Sequence, residues 1–78
     1  MIGGSSMVMD FQVRGAFIQL DQLLKATGLC ASGGHAHGAI AEGLVTVDGM
    51  TETRKRAKLR PGQRVCFAGQ AVRLVAAA

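Results

Sequence analysis

The sequence has no tryptophan, no tyrosine and only three phenylalanines in 78 residues. It therefore lacks the aromatic platform on which single-strand binders stack unpaired bases. A chain of this kind is better suited to holding a duplex, hairpin or junction by shape and phosphate contacts than to reading sequence. Its two cysteines, Cys30 and Cys66, lie far apart and neither has a nearby cysteine partner. This excludes the two-cysteine redox motif and a four-ligand zinc site. Both read as reduced thiols of a cytoplasmic protein, filling core or edge positions. No uninterrupted apolar run reaches the roughly 18 residues a membrane span requires. The start "MIGGSSM" has no basic, apolar and small-residue order of an export signal, so residues 1–6 read as a flexible leader outside the fold. No carboxylate pair or metal-ligand cluster can be written, which argues against a hydrolase or nuclease, and no cofactor is implied.

Against these absences stands a surplus of positive charge. Nine Lys plus Arg face five Asp plus Glu, a net charge of +4, in a chain that is 49% hydrophobic and 18% charged. That composition is globular rather than disordered. Its length allows one domain, residues 7–78, with a core that stabilises it by only a few kcal/mol. The cations are not spread evenly: Arg54, Lys55, Arg56, Lys58 and Arg60 fall within seven residues of "TETRKRAKLRPG". A polyanion is the first partner to consider, and a merely solvated face is the bland alternative.

Residues 7–18, "MVMDFQVRGAFI", mix β-branched and aromatic types around Gly15 and suggest one or two short strands. Leu20, Leu23 and Leu24 then recur at helical spacing, with Gly28 placed for a left-handed C-terminal cap. Ser32 is a plausible N-cap for a second short helix that ends at Gly43 and turns Ala36, Ala39 and Ile40 to one side. Gly33, Gly34 and Gly38 weaken that helix by roughly 1 kcal/mol each against alanine, so tertiary contacts have to support it. Next, Val45 and Val47 alternate with Thr46 before Asp48-Gly49, a pair suited to the two positive φ angles of a tight hairpin. Pro61-Gly62 fits a type II turn, and "RVCFAGQAVRLV" supplies two more short strands about Ala68-Gly69-Gln70. The expected order is strand, helix, helix and four strand segments.

Three features invite chemistry. Ser32-Gly33-Gly34 at a helix start presents free N–H groups to an anion, although glycines there also suit close packing of the two helices. His35 and His37, two apart, project about 200° from one another on a helix and cannot share a metal; either could contact a phosphate, more strongly when protonated. Cys30 near the histidines has no third orienting group for nucleophilic catalysis. In the basic run, Arg54, Arg56, Lys58 and Arg60 alternate with Thr53, Lys55, Ala57 and Leu59. An extended chain would put most of that charge on one side, with only Glu52 nearby to offset it.

The run from Gln19 to Val65 resembles the S4 RNA-binding domain: a leucine-rich helix, a glycine, a serine opening the second helix, an alanine and an isoleucine on its inner face, then "EGLVTVDG" entering a hairpin. With "ETRKR" following in so short a chain, it is most similar to the small stand-alone S4-like proteins of the bacterial YbcJ type. The resemblance implies an α+β fold of S4 type, the αL motif, with two short helices packed on a small, mainly antiparallel sheet. It implies a protein that binds structured RNA, such as rRNA or tRNA; the residues themselves argue against catalysis, and the expected state is a monomer. Leu20, Leu23, Leu24, Ala36, Ile40, Val45 and Val47 would be scaffold, and Ser32, His35 and His37 would face RNA. In the wider family an arginine usually follows the serine and another stands where His37 does, whereas this chain has Gly33 and His37. The run Arg54 to Arg60 would take over part of that charge. The expected site is Ser32, Gly33, Gly34, His35, His37, Arg54, Lys55, Arg56, Lys58 and Arg60. The alternative is a protein-interaction module docking on a ribosomal or RNA-processing protein.

Overall fold

The computed structural model describes residues 7–77, so the expected leader at residues 1–6 lies outside the described residues. The elements are β1 (Met7–Val13), β2 (Ile18–Gln19), α1 (Leu20–Ala26), α2 (Gly33–Ala41), β3 (Thr46–Val47), β4 (Met50–Thr51), β5 (Lys58–Leu59), β6 (Arg64–Phe67) and β7 (Gln70–Ala76). Five strand segments follow the helices rather than the expected four. The additional one is β5, inside the basic run.

Five strands form one sheet in the order β1-β7-β6-β3-β4, and β2 pairs with β5 in a second, two-stranded sheet. Every pairing is antiparallel except β1 with β7, which is parallel. Alternation decides which face of the β1–β7 pair is buried. Met9, Phe11 and Val13 pack on the core from β1, and Val72 and Leu74 from β7. Outward-facing Asp10 lies opposite Arg73 and receives two bonds from its guanidinium, at 3.0 and 3.2 Å.

The turns follow from backbone chemistry. Asp48 and Gly49 take φ of 52° and 82° between β3 and β4, and Ala68 and Gly69 take 54° and 78° between β6 and β7. Both are two-residue loops of the primed kind, whose twist matches that of paired strands. Asp48 does more than turn the chain: its N–H donates to the Arg64 carbonyl at 2.8 Å and its carboxylate accepts the Arg64 N–H at 2.9 Å. The hairpin is thereby fastened to β6. At Pro61-Gly62, Gly62 has φ of 98° and the Gln63 N–H closes the turn on the Arg60 carbonyl.

The helices supply the rest of the core. Leu20, Leu23 and Leu24 of α1 and Ala36, Ala39 and Ile40 of α2 are buried with Val45, Ala57, Leu59 and Val65. Val47 packs against this cluster from its edge. Cys30 is 2% exposed within the cluster, while Cys66 is half-buried on β6. Among the described residues no helix is long and apolar enough to cross a membrane.

Candidate functional site

The start of α2 is built as the sequence suggests. Ser32 is extended, with φ of −154°, and its Oγ accepts the His35 N–H at 3.1 Å. His35 answers in the reverse direction: its Nδ1 accepts the Ala31 N–H at 3.1 Å, which leaves Nε2 as the outward nitrogen of the ring. The ring also stands edge-on to Phe67 with centroids 6.2 Å apart. His35 is therefore held as part of the cap. None of the hydrogen bonds among the described residues uses the N–H of Gly33 or Gly34, so these two donors of the first turn are open to an anion.

The expectation that the α2 glycines serve close helix packing is corrected by what surrounds them. A Cβ at Gly38 would meet nothing within 4 Å, and one at Gly34 would meet only Ser32 Oγ at 3.9 Å. At Gly33 the one neighbour is Cδ of Lys25, at 3.8 Å. Ala36 and Ala39 are the small residues of α2 buried in the core. Lys25, on the last turn of α1, is a cation beside the α2 start that sequence reasoning missed. Finding it requires knowing which face of α1 meets α2, and neither charge nor periodicity specifies that.

One turn back along α1 and one turn on along α2, His37 Nε2 lies 3.0 Å from Asp21 Oδ2. The pairs Lys25–Gly33 and Asp21–His37 show that α1 and α2 run in opposite directions where they touch. Asp21 leads in turn to the basic run, because its N–H donates to the Lys55 carbonyl at 3.0 Å, and the Leu20 N–H donates to the Ala57 carbonyl at 3.0 Å. Gln19 at the N-cap of α1 makes no side-chain cap bond; the backbone of the basic run does that work. Ser32, Gly33, Lys25, His37, Asp21 and Lys55 thus follow one another along a single ridge. The two segments singled out in the sequence contact the same helix, the start of α2 at the Lys25 end of α1 and the basic run at its Leu20 end.

The basic run is not the extended strand its alternation suggests. Only Lys58 and Leu59 are strand, while the Ala57 N–H closes a turn on the Arg54 carbonyl at 3.1 Å. The cause is local. The Glu52 carboxylate accepts the Arg54 N–H and two guanidinium bonds, at 3.0 and 3.2 Å, folding the chain back at Arg54. The Arg54 side chain holds the Glu52 carboxyl below its ordinary value by these hydrogen bonds, and Glu52 in turn raises the guanidinium. In-and-out alternation does hold from Arg56 onward: Arg56, Lys58 and Arg60 are exposed, and Ala57 and Leu59 are buried. Lys55, Arg56, Lys58 and Arg60 form no ion pair among the described residues. Arg54, Arg56, Lys58 and Arg60 surround a shallow hollow of about 450 Å³ with Ala57 in its lining, a concavity suited to phosphate oxygens.

Comparison with known proteins gives a consistent result. The S4 domain profile matches residues 11–75. Over 59 residues the chain is 54% identical to YbcJ of Escherichia coli (strain K12), whose name carries a provisional RNA-binding designation; 76% of this chain and 84% of that protein are covered. The YbcJ protein of Shigella flexneri matches with the same identity and coverage. The solution structure of E. coli YbcJ, described as revealing an αL motif involved in RNA binding, superposes with a TM-score of 0.65 at 44% identity, covering 92% of this chain and 90% of that one.

Proposed function

The chain belongs to the S4 domain family, and from that premise we propose that it binds structured RNA, without catalysis, along the ridge joining the start of α2 to the basic loop. The observation that carries this reading is the continuity of the ridge. The open N–H groups of Gly33 and Gly34, the ammonium of Lys25, and the side chains of Lys55, Arg56, Lys58 and Arg60, which form no ion pair among the described residues, lie on connected elements. The backbone contacts of Leu20 and Asp21 hold the loop against α1. Cations spaced along these elements suit the spaced phosphates of a folded RNA such as an rRNA or tRNA element. Ser32 and His35 set the shape of the α2 start. His37 is held by Asp21, and Arg54 by Glu52, so they contribute less free charge than their number suggests. The protein acts in this reading as a cytoplasmic monomer.

The test is a set of binding isotherms at several salt concentrations, comparing an RNA hairpin with an unstructured RNA of equal length and charge. The hairpin should win. A module that docks its basic surface on an acidic protein predicts no RNA complex at physiological salt, and equal affinities would reduce the interaction to general electrostatics. Labelled RNA incubated with the protein and Mg²⁺ should remain intact.

A further inference from the structure

On the β2 side of the β2–β5 pair lies a second concavity, of about 520 Å³. Its lining residues are apolar Phe11, Phe17 and Ile18 and polar Gln12, Gln19 and Gln22. Arg14 stands at the same hollow. The side chains of all three glutamines make no hydrogen bond among the described residues, and Arg14 forms no ion pair among them. Phe17 is 37% exposed, an uncommon position for one of three aromatic residues in the chain. Its ring lies under the Lys58 ammonium, with Nζ 5.0 Å from the centroid. Lys58 in turn pairs with Gln19 across the two-stranded sheet. One lysine thus belongs to both hollows: its charge lines the basic one and its ammonium covers an aromatic ring of the other.

We propose that this second hollow takes a single unpaired nucleobase from the RNA held by the ridge, a bulged or loop nucleotide turned out of its stack. The inference rests on the RNA-binding reading above and deepens it. The partly exposed Phe17 ring offers a surface for stacking. Free amides, each with a donor and an acceptor, can meet the base's hydrogen-bonding edge, where a purely greasy pocket would leave those groups unpaired. Lys58 fixes the relation between the two contacts, since an ammonium above Phe17 can meet the phosphate of the nucleotide whose base enters the hollow. The scarcity of aromatics excludes a platform for a run of unpaired bases. It does not exclude one base at one ring, and the fold exposes that ring beside the cationic loop.

The test compares two RNA hairpins of the same stem, one fully paired and one with a single-nucleotide bulge, for binding to the full chain and to its Phe17→Ala and Gln22→Ala variants. A stacked and hydrogen-bonded base should favour the bulged hairpin about tenfold. Each variant should lose most of that preference while keeping its affinity for the paired hairpin. Gln22 is an exposed helix position, so its replacement keeps the measurement interpretable should Phe17→Ala fail to fold. A 2-aminopurine at the bulge should change its fluorescence on binding to the parent and not on binding to the Gln22→Ala variant. If both hairpins bind equally and the variants match the parent, the hollow takes no base and the ridge reading stands. If neither hairpin binds, both the hollow and the ridge reading are overturned.

Discussion

The Asp21 carboxylate and the His37 imidazole meet at 3.0 Å between the two helices, with Asp21 15% and His37 41% exposed. This contact places an acidic group between the start of α2 and Lys55. Asp21 also serves its own helix, accepting the Gln22 N–H at 2.8 Å in the first turn, where negative charge is favourable. One side chain therefore supports the scaffold and opposes a polyanion.

Asp21→Asn should separate those roles. Loss of the first-turn charge and of the His37 interaction should reduce stability by about 0.5 to 1 kcal/mol. Removing a negative charge from the ridge should raise affinity for an RNA hairpin about two- to fivefold at low salt, with less gain as salt screens it. Thermal melts and isotherms on the same variant check both signs; weaker RNA binding by a folded variant would remove Asp21 from the binding face.

The glycines of α2 should divide by position. Gly38 is inside the helix with open space around it, so Gly38→Ala should stabilise by roughly 0.5 to 1 kcal/mol. That raises Tm by about 4 to 8 °C for each kcal/mol in a domain of this size. Gly34→Ala should be tolerated by the fold, since a Cβ there meets only the Ser32 hydroxyl at 3.9 Å, yet a methyl beside an open N–H should hinder phosphate approach and weaken RNA binding. Equal affinities for parent and Gly34→Ala would take the start of α2 out of the site.

Gly49→Val forces a β-branched side chain into φ of 82° and should cost on the order of 1 to 3 kcal/mol. The Asp48 bonds to β6 depend on that turn, so the loss should propagate to β6 and lower the melting temperature. An unchanged melt would show that the turn carries no strain.

What was legible in the sequence was local. Leu20, Leu23 and Leu24 declare a helix by spacing, Gly28 ends it with φ of 78°, and Asp48-Gly49 declares its turn, because each is decided within a few residues. The parallel pairing of β1 with β7 was not legible: Asp10 and Arg73 are 63 residues apart, and no turn links them to set the register. Nor was the shape of the basic run. Its period of two correctly separated exposed Arg56, Lys58 and Arg60 from buried Ala57 and Leu59, but one carboxylate at Glu52 bends the chain where period alone would keep it straight. The candidate site was legible as two charged or glycine-rich segments. Their shared contact with α1, and the place of Lys25, came only with the packing of the elements.

Burial pushes the Cys30 thiol above the ordinary value of 9.0, so the folded state favours the neutral form. The stabilising contribution is complete below the unfolded thiol's pKa, and declines as pH rises from about 9 towards the higher folded value. Denaturant midpoints should therefore fall above pH 9, and Cys30→Ala should flatten that decline. A thiol reagent at pH 8 should modify half-buried Cys66 first, and Cys30 only as the domain opens. Equal labelling rates would contradict the burial of Cys30.

The loop's backbone and its side chains should prove separable. The carbonyls of Lys55 and Ala57 cap α1, and a side-chain substitution leaves them in place, so replacing Lys55, Arg56 and Arg60 together with Gln should change stability by no more than about 0.5 kcal/mol. Each phosphate that the protein ceases to neutralise should flatten the dependence of log affinity on log salt by roughly 0.7 to 0.9, so the triple variant should lose about 2 to 3 units of slope if all three side chains touch phosphates. Arg54→Gln should behave differently. Its guanidinium is committed to Glu52 by bonds of 3.0 and 3.2 Å, so removing it releases the Glu52 carboxylate and loosens the bend that sets the loop. Affinity should then fall, with a smaller change of slope than removal of a free cation would give. A triple variant with the parent's affinity and slope would move the binding surface to Ser32, Gly33, Gly34 and Lys25. An Arg54→Gln variant that loses a full unit of slope would show that Glu52 surrenders its partner to the RNA.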